Sequence, residues 1–134
     1  MDPHEVYSEV VDGKGRVVDP QAAEWERTYS MFTHLSLLAF HVAMPVLPAL
    51  VLWLIKRDRS PFVDDHGREA VNFQLSLVLY ALVAVPLAGL ITCGLGFLLW
   101  LPVYALGMVG MILASIAAHK GQYYRYPATI RFLR

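Results

Sequence analysis

Polar and apolar positions are sharply segregated along this chain. After residue 30, three long stretches carry no Asp, Glu, Lys or Arg: Met31 to Ile55, Asn72 to Ile91 and Phe97 to Ala118. A helix needs about 20 mainly apolar residues to cross a hydrocarbon core about 30 Å thick. The second stretch has that length and the third slightly exceeds it. The pattern predicts an all-α integral membrane helix bundle whose main solvent is lipid.

Residues 1–20 read as an acidic exposed tail, with at most a short extended piece around Val10 to Val18. Residues 21–134 read as one membrane helix-bundle domain that ends in a basic interfacial tail. Helix is expected from near Gln21, with Pro20 in its first turn. It would carry Trp25 and Tyr29 to the interfacial belt.

The first apolar stretch is broken by the segment MPVLP, where Pro45 and Pro48 remove backbone donors and disfavour helix just before them. Met31 to Ile55 is therefore either one kinked crossing or a hairpin or re-entrant pair. The positive-inside bias favours the single crossing, hence three transmembrane helices, with the acidic N-terminus outside. The hairpin would give four.

The second helix is expected from Asp65 or His66 to Ile91, and a turn at Thr92, Cys93, Gly94 and Gly96 leads to a third from Phe97 to His119. On that third helix Gly110, Ala114 and Ala118 recur every fourth residue. Such a face admits a close neighbour. Packing within the chain is the favoured reading and homodimerisation the alternative.

Composition agrees: 57% of residues are hydrophobic and only 16% charged, against about 25% charged in ordinary soluble domains. The net charge is zero but unevenly spread. Acids dominate before Tyr29, whereas Lys120 to Arg134 holds four bases and no acid. The opening residues lack the apolar core of a signal peptide, so the first apolar stretch is expected to serve as an uncleaved insertion signal. The lone Cys93 provides no disulfide framework and no cysteine metal site.

The polar groups that enter the apolar region fall on two stripes. Arg27, Ser30, His34 and His41 share one helical face, and His66, Glu69, Asn72, Ser76 and Tyr80 share another. Ionisable residues at membrane depth are costly and face a bundle interior or a watery cavity. Setting the stripes against each other makes Arg27 and Glu69 candidates to pair, with His34 deeper. The favoured reading is a hydrogen-bonded seam. The alternative is a conduit for protons, ions or a small solute, lined by His34, His41, Glu69, Asn72 and Ser76.

The loop from Ser60 to Gln74 is the densest polar cluster. Asp64, Asp65, His66 and Arg68 read as a loop face for a partner. Capping explains the acids more cheaply than metal binding: Asp65 or His66 would begin the helix, with Glu69 reaching back to free amides. No H-x-x-x-H or H-E-x-x-H pattern occurs, so no metal and no cofactor are expected. At the other end, Tyr123, Tyr124 and Tyr126 are assigned to headgroup depth. Arg125, Arg131 and Arg134 would meet anionic lipid, each contributing about 1 kcal/mol near the surface.

Catalysis finds little support, because the chain lacks a Gly-rich phosphate loop and a G-x-S-x-G elbow. Bases cluster only at the presumed cytoplasmic surface, so no nucleic-acid role is expected.

Three segments carry a resemblance: ERTYSMFTHLSLL (Glu26 to Leu38), LWLIKRDRSPFVDDHGREAVNFQLSL (Leu52 to Leu77) and GQYYRYPATIRFL (Gly121 to Leu133). Together they resemble short bacterial membrane proteins of an uncharacterised domain family. That family is distantly similar to the twenty-kilodalton Tic translocon subunit of the chloroplast inner envelope. The resemblance implies a small helical bundle in a bacterial inner membrane. The chloroplast relative has four membrane helices with both ends on one side, which raises the hairpin reading. It also implies a partner role, by analogy of fold, and supplies no catalytic residue. The expected protein is thus a multi-pass, non-enzymatic scaffold or accessory subunit, whose partners are the lipid bilayer and a membrane protein or second copy.

Overall fold

The computed structural model describes residues 16–42 and 44–134. Most of the acidic N-terminal tail, residues 1–15, lies outside them. Among the described residues the architecture is all-helical, with one isolated antiparallel bridge between Val18 and Gln122. Four helices follow in order: α1 (Glu24–Leu35), α2 (Leu47–Lys56), α3 (Pro61–Ile91) and α4 (Leu95–His119).

Helix α1 begins three residues later than Pro20 implied. The Asp19 carboxylate accepts the Gln21 amide at 2.9 Å and its carbonyl accepts Ala22, so this segment is a turn. Glu26 then accepts the Ala23 amide at 2.5 Å. Glu24 and Glu26 place negative charge at the positive helix end. Beyond Leu35 the chain tightens into a 3₁₀ segment, Ser36–Val42, before Pro45.

The chain then turns back. Tyr29 donates its hydroxyl to the Leu52 carbonyl at 2.6 Å, and the Lys56 ammonium sits 5.8 Å from the Trp25 ring centre. These pairs put α1 and α2 antiparallel, so the single kinked crossing is overturned in favour of the hairpin. Charge bias could not reveal this, because the reversal depends on a distant side chain. Gln74 of α3 accepts the Val46 amide at 3.1 Å, where Val46 holds a φ of 66°. With ten residues, α2 is only about 15 Å long, half the thickness of a hydrocarbon core.

Helix α3, by contrast, starts earlier than expected. Ser60 is its N-cap, accepting the Val63 amide at 3.2 Å, with Pro61 in the first turn. Asp65, His66 and Glu69 therefore lie inside the helix and do not cap it. The rod continues through a π segment at Tyr80–Ala84 to Ile91. Thr92 closes the turn that follows, donating to Ala88 at 2.7 Å and accepting Gly96 at 2.6 Å. Cys93, at φ 52°, and Gly94, at φ 101°, supply two left-handed residues. Gly107, Gly110, Ala114 and Ala118 of α4 are buried within the chain, Gly110 against the rings of Tyr126 and Phe73.

Two helices, α3 and α4, are long and apolar enough to cross a membrane. Their apolar side chains point outward: Leu82, Leu90, Ile91, Leu95 and Leu101 are each more than 70% exposed. Ser30, His34, His66, Asn72, Gln74 and Ser76 are buried. A soluble domain has the opposite arrangement. The N-terminal segment, the α2–α3 connection and the start of the tail gather at one end. There Asp19 donates its amide to Gly121 and Tyr123 donates to Val17, both at 2.9 Å. The Thr92–Gly94 turn lies at the other end.

Candidate functional site

The residues after α4 fold back along α3, with Gly121 and Tyr126 buried and much of the rest exposed. From Gly121 the chain runs down α3, turns at Ala128 (φ 56°), and climbs back to Arg134. This re-entrant strap has no regular backbone pairing of its own beyond the Val18–Gln122 bridge. Backbone polar groups outside regular structure need partners wherever they are shielded from water. Side chains of α3 supply them here.

On the way down, Arg125 makes two 2.7 Å bonds to the Asp65 carboxylate. That bonding holds the Arg125 guanidinium above its usual range, outweighing the opposing effect of burial. One turn deeper, Glu69 accepts the Tyr126 amide at 2.8 Å. At the lowest point Tyr80 donates its hydroxyl to the Ala128 carbonyl. On the return, Ser76 accepts the Ile130 amide at 2.8 Å. Asn72 then accepts the Phe132 and Leu133 amides at 3.1 and 2.9 Å and donates to the Leu133 carbonyl at 2.9 Å. Arg131 reaches back to Glu69 at 3.3 Å. The α3 stripe is thus a ladder of side chains reading one strap.

The α1 stripe meets this ladder through His34. Its Nε2 lies 2.8 Å from His66 Nδ1, and its Nδ1 lies 2.8 Å from the Tyr126 hydroxyl. Tyr126 also stacks on Phe73, with centroids 3.7 Å apart. The three polar groups form a continuous buried chain across α1, α3 and the strap. The other nitrogen of His66, Nε2, is buried without a full hydrogen bond, and the Gln122 backbone is its electrostatic neighbour.

The remaining stripe residues are placed differently. Glu69 pairs with Arg131, not Arg27; the Arg27 side chain lies by Gly121, and its Nε is buried without a partner. Ser30 is buried with its hydroxyl unpartnered. His41 stands apart from the ladder, 3.2 Å from the Tyr104 hydroxyl. Of the tail residues assigned to the headgroup layer, Tyr126 is buried, at 4% exposure. Arg125 and Arg131 are paired with carboxylates while staying about half exposed, and Arg134 is exposed as well.

Asp65, His66 and Glu69 each have a separate protein partner, and no group of three metal-ligating side chains occurs among the described residues. On the loop face, Asp64 accepts Trp53 Nε1 at 2.8 Å and pairs with Arg68.

Tyr126 is central here, and Gln74 holds the Val46 amide where the chain turns back, but neither was among the candidate site residues. Gln74 looked like one more polar residue on an apolar helix. Tyr126 was masked by its basic, aromatic neighbours, although the adjoining Pro127 hinted that the tail is not helical.

The family model for the magnetosome magnetite crystal formation protein family matches residues 25–133. No curated protein and no solved structure matches the chain. Nothing in these findings supports the likeness to the chloroplast Tic subunit.

Proposed function

The chain belongs to the magnetosome magnetite crystal formation protein family, and from that premise we propose that it is a small, non-catalytic accessory subunit of the magnetosome membrane. In this reading α3 and α4 cross the bilayer, while the α1–α2 hairpin and the C-terminal strap enter it and return. The outward apolar surface of both long helices supports that placement. The bases of residues 56–68 and of the tail then share one side, which the positive-inside rule assigns to the cytoplasm. That face is where a membrane-protein partner would dock.

One observation carries the accessory role. Glu69 (through one carboxylate oxygen), Asn72 and Ser76 bind the strap's backbone, and His34 spends both ring nitrogens on His66 and Tyr126. A conduit needs those same groups to face water. The 2.8 Å contacts leave no room for a water molecule between them.

The test is made in the cell. Deleting the chain from a magnetite-forming bacterium should alter crystal size or number in electron micrographs. A strap-deleted copy, lacking residues 122–134, should fail to restore them. Crystals unchanged by the deletion would overturn the proposal. Flux of protons or ions through liposomes holding the intact protein, reduced by Glu69→Gln, would replace it with the conduit.

A further inference from the structure

At the gathered end of the bundle, an open cup of about 440 Å³ lies between α2, the start of α3 and the strap's last residues. Trp53 forms one wall, with the Arg57 guanidinium 5.5 Å from its ring centre. Arg68 and Arg134 supply two more positive charges, opposed by Asp58 and Asp64. Asp64 and Arg68 pair with each other and offset in charge, and Asp64 also accepts the Trp53 indole. Asp58 is almost fully exposed and only 3.7 Å from Arg57. Arg68 keeps a buried Nε with no partner. Three arginines against two carboxylates leave the cup one net positive charge.

The cup's lower rim is apolar. Phe132 lines it and is half exposed, and Ile130 is exposed one step further down the strap. The strap descends toward Tyr80 in that direction, so this exposed strip leads from the cup into the apolar zone. A positively charged cup above an apolar track matches one ligand chemistry: a phosphate diester carrying acyl chains.

We propose that this cup is a binding site for an anionic phospholipid. The phosphate is taken by Arg57 and Arg134, beside the Asp64-paired Arg68, and the chains lie along Phe132 and Ile130. Arginine suits the task because its planar fork matches phosphate oxygens. Arg125 and Arg131, the other tail bases, do not line the cup and take no part. The proposal rests on the membrane placement given above.

The test uses the intact protein, purified in mild detergent with phosphatidylcholine and titrated with phosphatidylglycerol. Bound lipid is read by native mass spectrometry and by thermal protection. Wild-type protein should retain one phosphatidylglycerol. Arg57→Gln and Arg134→Gln should each weaken retention by about tenfold without changing the melting temperature of the lipid-free protein. Arg59→Gln, which removes an exposed base from the same connection but outside the cup, should leave retention unchanged. Equal losses in all three variants would mean general surface attraction and overturn the site. Equal protection by inorganic phosphate at matched ionic strength would overturn the lipid assignment. Carbonate washing separates the two levels: release from membranes sinks the placement, whereas retention without phosphatidylglycerol binding sinks the cup alone.

Discussion

The hydroxyl of Tyr126 sits 2.8 Å from Nδ1 of His34, across 92 positions of sequence. Both residues are buried, and the bond joins the C-terminal strap to the first helix. Tyr126→Phe keeps the ring on Phe73 but leaves the imidazole nitrogen without its partner. An unsatisfied buried polar group costs about 1–3 kcal/mol. The variant should therefore melt at a lower temperature in detergent while keeping its helix content by circular dichroism. Tyr126→Ala should lose more, because it also empties the space against Phe73 and Gly110. Equal melting of Tyr126→Phe and wild type would mean that the contact does not form.

Asn72 tests the ladder itself. Its amide group makes three hydrogen bonds to the strap at Phe132 and Leu133. Asn72→Leu preserves size but leaves those backbone groups without partners. The strap's upper arm should open, at a local cost of about 1–3 kcal/mol. Amide exchange at Phe132 and Leu133 should accelerate strongly, while that of Tyr126, held by Glu69, changes little. Uniform exchange in the two proteins would show that side chains of α3 do not hold this arm.

How legible all this was in the sequence differs between the two sides of the seam. Spacing alone put Glu69, Asn72, Ser76 and Tyr80 on one face, because an α-helix fixes that relation locally. The partner of that face was not legible, since it is a backbone and backbones leave no trace in residue periodicity. The tail looked superficial because Arg125 and Arg131 read as bases without partners. Their carboxylate partners lie about sixty positions away, Arg125 on Asp65 and Arg131 on Glu69. The hairpin was half legible. Pro45 and Pro48 marked a break, but the direction of the chain after it depends on Gln74, Tyr29 and Leu52. The run of charge-free residues fixed the all-helical class, because length and composition act without reference to any partner.

Gly67 tests the docking of α2 on α3. A methyl group there would lie 2.3 Å from Trp53 Cδ1 and 2.8 Å from its Cβ, so the indole cannot swing clear and α2 must shift. Overpacking of this kind costs about 1–3 kcal/mol, against about 1 kcal/mol regained from alanine's better helix propensity. Gly67→Ala should therefore be net destabilising, with a changed tryptophan emission. It should also weaken phosphatidylglycerol retention, because Trp53 walls the cup. A raised melting temperature with unchanged emission would mean that α2 does not rest on this glycine.

The last prediction concerns which ends share a side of the membrane. In the structure Arg59 and Lys120 stand at one end of the bundle, and the Thr92–Gly94 turn, carrying the exposed Cys93, stands at the other. If α3 and α4 cross the bilayer and the α1–α2 hairpin only dips into it, an impermeant maleimide must reach the two ends from opposite faces. With Cys93→Ser as background, Arg59→Cys and Lys120→Cys should label together in inside-out vesicles and resist labelling in right-side-out ones. The parent Cys93 should behave in the reverse way. Arg16→Cys in the same background is the sharper probe, because the Val18–Gln122 bridge ties that segment to the start of the strap. It should label with Arg59→Cys. A single kinked crossing between Met31 and Ile55 would put the two on opposite faces, and that outcome would break the Tyr29–Leu52 pairing on which the hairpin stands.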